Sequence, residues 1–135
     1  MEEILLSNTT KKNMYLISIS TFIFLFLDFI FLLYNRDTFE KQVIQVQKVS
    51  LQLKPFGILF CYLFLLTGLY YFILREKKTP LEAFLFGLVI YGVYETTTYA
   101  LLKNWHFTTV IQDTLWGGVL FYLTTFFTYK IIEFI

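Results

Sequence analysis

The chain has 135 residues, 57% of them hydrophobic and 16% charged, with a mean hydropathy of +0.63. Soluble domains run near ~45–50% apolar and ~25% charged, so a single water-facing fold is excluded as the destination of this apolar excess. The net charge of +1 gives no bulk attraction to nucleic acid, and the lone Cys61 leaves no disulfide framework or Cys-based metal site within one chain.

In chain order, the first element is the apolar run Met14–Tyr34, preceded by Lys11 and Lys12. It is too long for a signal-peptide core and has no small-residue cleavage site after it, so a retained anchor is expected. Asn8-Thr9-Thr10 matches a glycosylation sequon, which matters only if that end is lumenal. Three further runs lie at 56–74, 81–102 and about 109–129. Each is near the ~20 residues needed to cross ~30 Å of hydrocarbon. A bilayer offers no water to free backbone groups, so helices are the spanning form at these lengths. The sequence therefore predicts an all-α integral membrane protein, a single membrane domain over 1–135 with four transmembrane helices and both ends on one side.

The 35–55 connection carries its own pattern. Asp37 and Glu40 have capping-box spacing, Phe39, Val43, Val46 and Leu53 recur with helical period, and Pro55 closes the segment. This predicts an amphipathic interfacial helix over about 37–53, lying on the membrane surface opposite the termini; a short exposed loop is the alternative. Lys and Arg divide nearly evenly between the two sides. Lys11, Lys12, Arg75, Lys77, Lys78 and Lys130 fall with the termini; Arg36, Lys41, Lys48, Lys54 and Lys103 fall opposite. The tight Arg75–Lys78 cluster favours cytoplasmic termini.

Three acids lie inside the runs: Asp28, Glu95 and Asp113. A carboxylate near the bilayer centre costs ~2.5–3.5 kcal/mol on insertion scales, so they are expected to face the bundle interior, carry a proton or bind a cation. Asp28 lies about four residues past the midpoint of its run, ~6 Å at 1.5 Å per residue. Glu95 is similarly placed, and Asp113 precedes the midpoint of a run crossing the other way. All three fall in the half away from the termini, and one shared site is the economical expectation. Helical spacing adds Tyr91, Tyr94 and Thr98 to the face of Glu95, and Trp116 and Gly117 to that of Asp113; Tyr62 falls in the same half. Gly87 and Gly117 would let neighbouring helices approach closely. With no Lys or Arg inside the runs, at least one of the crowded acids is expected to be protonated at neutral pH. His106 and Trp105 read first as interfacial residues of the short third loop and Trp116 as a packing residue, although His106 could cap the acidic site from the water side.

The string Tyr91-Gly-Val-Tyr-Glu-Thr-Thr-Thr-Tyr-Ala-Leu-Leu-Lys-Asn-Trp105, followed by Asp113-Thr-Leu-Trp-Gly117, resembles a family of small predicted membrane proteins of bacteria and some large viruses, known as domain of unknown function 2177. That family reads Y-x-x-Y-D-x-T-N, then L-K-x-W, then D-x-x-W-G, with a Leu-Asp pair in the first span. Tyr91, Tyr94, Thr97, Leu102, Lys103, Trp105, Asp113, Trp116 and Gly117 match, as do Leu27 and Asp28. Glu95 stands where the family has Asp, Thr98 where it has Asn, and His106 where Pro is usual. The resemblance covers the chain from about Met14 onward. It implies the fold and the acidic character of the site, and supplies no activity.

Two functions are expected from these residues. One is proton or cation conduction or transport through Asp28, Glu95 and Asp113, in a homo-oligomer because four helices make a thin wall. The other is a non-enzymatic scaffold or virion-membrane assembly component whose acids form a structural polar core. An enzyme ranks last: there is no nucleophile–His arrangement, HExxH or phosphate-binding glycine loop, and nothing implies a cofactor or a catalytic residue. The lipid bilayer is the one partner the composition demands.

Overall fold

The computed structural model describes residues 2–48 and 53–135, with side chains described from residue 8 onward. The described residues form five helices and no strand: α1 (Glu2–Tyr34), α2 (Arg36–Gln47), α3 (Pro55–Gly68), α4 (Pro80–Leu101) and α5 (Phe107–Phe134). α3 runs on without a break into a π-helical stretch, Leu69–Leu74.

Three segments are long and apolar enough to cross a bilayer: Asn8–Tyr34 with 27 residues, Pro55–Leu74 with 20 and Phe107–Phe134 with 28. α4 falls outside that set although it has 22 residues, because Tyr91, Tyr94, Glu95 and Thr96–Thr98 dilute its apolar run. The outward surfaces match a hydrocarbon solvent: Phe22, Phe26, Phe29, Phe64, Leu85 and Val89 are all exposed. The α-helical part of α3 buries no residue.

The α4–α5 hairpin is the best-packed pair, and the contact is made through glycine. A Cβ on Gly87 would meet the Gly117 carbonyl oxygen and come within 2.7 Å of Phe121 Cγ; one on Gly117 would run into the Tyr91 ring. Small residues permit this backbone approach, which in lipid supplies the dispersion contact that holds helices together. α1 packs on α5, and the core between them is Leu16, Phe24, Leu69, Leu74, Leu120 and Phe121. The π-helical stretch, and not α3 proper, supplies the share of that core that comes from the Pro55–Leu74 segment, with Leu69, Ile73 and Leu74 buried.

Helix starts differ from the sequence expectation. Asp37 and Glu40 form no capping box: α2 begins at Arg36, and Asn35 precedes it without a side-chain cap bond. The Asn35 side chain is used elsewhere, its amide nitrogen donating to the Phe31 carbonyl (3.0 Å) and its oxygen accepting from Gln112 Nε2 (2.7 Å). The capping box lies instead at Thr79 and Glu82, ahead of α4 with Pro80 at its first turn: Glu82 N–H donates to Thr79 Oγ1 (3.2 Å) and Thr79 N–H to Glu82 Oε2 (2.9 Å).

α2 is also shorter than the expected 37–53 helix. It stops at Gln47, with Lys48 in the left-handed region at φ 65°. Residues 49–52 lie outside the described residues, and Leu53, expected on the apolar face, is 71% exposed. The face carrying Phe39, Val43 and Val46 turns toward the bundle: Phe39 lies 6.1 Å from Phe31, and Gln42, one turn along from Phe39, is buried. Gln42 Oε1 accepts from the His106 backbone N–H (3.1 Å) and from Thr109 Oγ1 (2.8 Å), and Asn104 Nδ2 donates to the Gln45 carbonyl (3.0 Å). α2 thus lies across the α4–α5 loop and the start of α5, covering the end of the bundle nearest the acids.

Candidate functional site

Asp28 and Glu95 are buried, 6% and 2% exposed, and Asp113 is half-buried. A buried carboxylate needs donors, and each buried acid takes one from an indole. Trp116 Nε1 donates to Asp28 Oδ1 at 2.9 Å, and the Tyr62 hydroxyl donates to the other carboxylate oxygen. Trp105 Nε1 donates to Glu95 Oε2 at 2.8 Å. The Asp113 carboxyl faces Glu95 within hydrogen-bonding reach and lies within electrostatic range of Asp28.

Aromatic packing aims these donors. The Trp116 ring stacks on Phe31 with centroids 4.4 Å apart and planes 5° apart. Phe31 is one helical turn beyond Asp28 on α1, so the same face supplies both the ring's platform and its acceptor. Tyr62 is held by an edge contact to Phe24 at 6.2 Å. Tyr91 lies over Gly117 and within electrostatic range of both Asp28 and Asp113, with its ring edge toward Phe121 at 6.3 Å. Gly117 is therefore what admits Tyr91 to the site.

The acids meet in two linked groups: Asp28 with Tyr62 and Trp116, and Glu95 with Asp113 and Trp105. Two residues expected in the ring sit at its edge. Tyr94 is 61% exposed yet within electrostatic range of Glu95 and Asp113. The half-buried Thr98 donates its hydroxyl to the Tyr94 carbonyl at 2.8 Å, closing a bond within its own helix. His106 is exposed and contributes its backbone N–H to Gln42.

The residues that sequence reasoning undervalued are the two tryptophans and Gln42. The signal was present as unmatched chemistry: buried acids lacking cations require donors, and an indole N–H placed among apolar residues requires an acceptor. Among the described residues, no three His, Cys, Asp or Glu side chains converge as a metal-holding group, and the one ion pair shown, Arg75–Glu76 at 3.0 Å, is in the turn between the π-helical stretch and α4. On the side of Asp28 toward the termini lie Phe24 and Phe121, both fully buried, with rings edge to face at 5.5 Å.

No curated protein and no solved structure matches the chain. A family model described as "Predicted membrane protein (DUF2177)" matches residues 13–130, all but the ends of the chain, and the protein belongs to that family.

Proposed function

We propose that this protein crosses the bilayer four times, with cytoplasmic termini, and that its acidic centre takes up and releases protons from the side covered by α2. The observation that carries this reading is the meeting of Glu95 and Asp113 in a half of the bundle where, among the described residues, no Lys or Arg is paired with them. Two carboxyls at hydrogen-bonding reach in low dielectric favour a shared proton over two charges. Intramembrane acids in this state commonly mark proton or ion paths. A proton fits better than a metal ion, since no metal-holding group is found among the described residues. For α4 as the fourth span, the support is its close pairing with α5 and its length: 22 residues at 1.5 Å each give ~33 Å. With the Phe24 and Phe121 rings packed together inside one chain, the reading routes passage across the whole membrane between copies of the chain.

A second reading has its own observation. Both Asp28 oxygens and one Glu95 oxygen already hold donors from Tyr62, Trp116 and Trp105, which is what a structural polar core in a membrane scaffold requires. The two readings separate in proteoliposomes loaded with a pH-sensitive dye. Wild-type protein that dissipates an imposed pH gradient, and a well-folded Glu95→Gln variant that does not, would establish proton handling at this centre. Absence of flux in both, with a changed melting temperature for the variant, would assign the acids to the polar core and discard the proton-exchange reading.

A further inference from the structure

The end of the bundle opposite the acids holds a cleft of about 760 Å³ between the start of α1, the turn after the π-helical stretch and the end of α5. Lys12, Arg75 and Lys77 stand on its wall, while Leu16, Leu74 and Ile132 line its apolar part. Among the described residues, Glu133 is the one acid lining it, against three cations. An adjoining recess of about 260 Å³ shares Lys12 and adds Lys11. Basic and apolar walls thus meet in one concavity at the edge of the hydrocarbon.

Local backbone geometry builds this arrangement. The Arg75 N–H bonds the Tyr70 carbonyl (2.8 Å) and the Lys78 N–H bonds the Ile73 carbonyl (2.9 Å), each spanning five residues where an α-helix spans four. The extra residue rotates the chain beyond it by roughly 100° relative to a continuing α-helix, bringing Leu74 fully inside while Arg75 remains 40% exposed. Arg75 is steadied over the Tyr71 ring at 3.9 Å and beside Glu76. Lys77 adopts a left-handed φ of 55°, and the Tyr129 hydroxyl donates to the Lys78 carbonyl (2.7 Å), pinning the turn to α5. A non-glycine residue in that region is a local strain held by the surrounding structure.

We propose that this cleft seats an anionic phospholipid, its headgroup phosphate between Lys12, Arg75 and Lys77 and the top of an acyl chain against Leu16, Leu74 and Ile132. Basic pockets between transmembrane helices attract such headgroups, each cation adding to the attraction near the surface. A free phosphate would use the cations alone and leave the apolar wall unused; a phospholipid uses both. The volume is in the range of ligand-holding clefts and far exceeds a single phosphate ion.

The test is thermal unfolding of the full chain in a neutral maltoside detergent, titrated with dioleoylphosphatidylglycerol, dioleoylphosphatidylcholine or sodium phosphate. Phosphatidylglycerol is expected to raise the melting temperature, and the other two to leave it unchanged. In a Lys12→Gln, Arg75→Gln, Lys77→Gln variant the apparent lipid affinity should fall at least about tenfold. A charge-matched Lys48→Gln, Lys54→Gln, Lys103→Gln variant at the other end should keep it. If the first triple variant does not fold, Lys77→Gln alone, read by native mass spectrometry of bound phosphatidylglycerol, carries the test. Equal stabilisation by phosphatidylcholine, or full lipid binding by the charge-depleted variant, overturns the proposal. A shift reproduced by sodium phosphate overturns the lipid assignment in favour of a free-phosphate site. None of these outcomes depends on proton flux through Glu95.

Discussion

The two halves of this bundle are held by different physics. Toward α2, position is set by directional bonds: Trp116 and Tyr62 to Asp28, Trp105 to Glu95, and Gln42 to Thr109 and the start of α5. Toward the termini, Phe24, Leu69, Leu74, Leu120 and Phe121 fill space by shape. That second half also buries the hydroxyls of Thr124, Thr125 and Thr128, for which no hydrogen-bond partner is found among the described residues. Gln42 Nε2 and Thr114 Oγ1, in the α2 half, are likewise buried with no partner found among the described residues. The halves therefore differ in how many of their buried polar side chains are bonded across helices, and not in whether any goes unbonded. What separates a bonded side chain from an unbonded one is whether a partner of matching chemistry reaches across from another helix.

This contrast can be broken most forcefully in the apolar half. Phe121→Ala removes a ring that touches Phe24, Phe86 and Tyr91 together, and should cost about 3–5 kcal/mol of stability in a sodium dodecyl sulfate unfolding titration. A loss under about 1 kcal/mol would mean the helices close over the gap, and that shape does not hold this half.

Trp116→Phe keeps an aromatic ring against Phe31 but removes the indole N–H together with part of the bicyclic ring, leaving one Asp28 oxygen without its donor. The expected cost is about 2 kcal/mol, and it should shrink in an Asp28→Asn background when the double-mutant cycle is measured in the same titration. Additive losses would show that the indole acts here by packing alone.

A smaller effect is expected at α2. Gln42→Leu removes the acceptor shared by Thr109 and the His106 N–H and should cost about 1 kcal/mol. Hydrogen exchange would place that loss: amides of α2 should exchange faster while those of α4 keep their protection. Unchanged exchange in α2 would show that Phe39 and Val43 suffice to dock it.

The smallest change carries the opposite sign. Thr124→Val swaps a buried hydroxyl without a partner for a methyl of nearly the same shape, and should be neutral or stabilising by up to about 0.5 kcal/mol. Destabilisation beyond about 1 kcal/mol would reveal that the hydroxyl is bonded in the membrane and erase the distinction between the halves.

How much of the molecule was readable from residues alone obeys the same division. Three candidate membrane spans were legible because the bilayer leaves an apolar run of about twenty residues only one way to satisfy its backbone. Counting at a fixed rise per residue put Asp28, Glu95 and Asp113 at similar heights along their runs. A helix between Tyr34 and Pro55 was legible from its period; its docking onto the bundle was not, because an apolar stripe looks the same whether it faces lipid or another helix. The capping box of α4 was written as Thr79-Pro-Leu-Glu82, a local signal, whereas the same spacing at Asp37 and Glu40 forms no box, because α2 begins one residue earlier at Arg36 and leaves Asp37 inside the helix.

The sequence by itself determined a helical membrane protein with three acids set within its apolar runs, because insertion and helix formation depend on composition and on contacts within a few residues. Only the tertiary structure decided which donors meet those acids. Trp116 reaches Asp28 across 88 positions of chain, and the glycine contact of α4 with α5 admits Tyr91 beside them. It also decided the π-helical stretch that turns Leu74 inward and leaves Arg75 and Lys77 at the basic cleft. Such pairings are choices among many chemically equivalent partners, and only the packing of helices against one another selects among them.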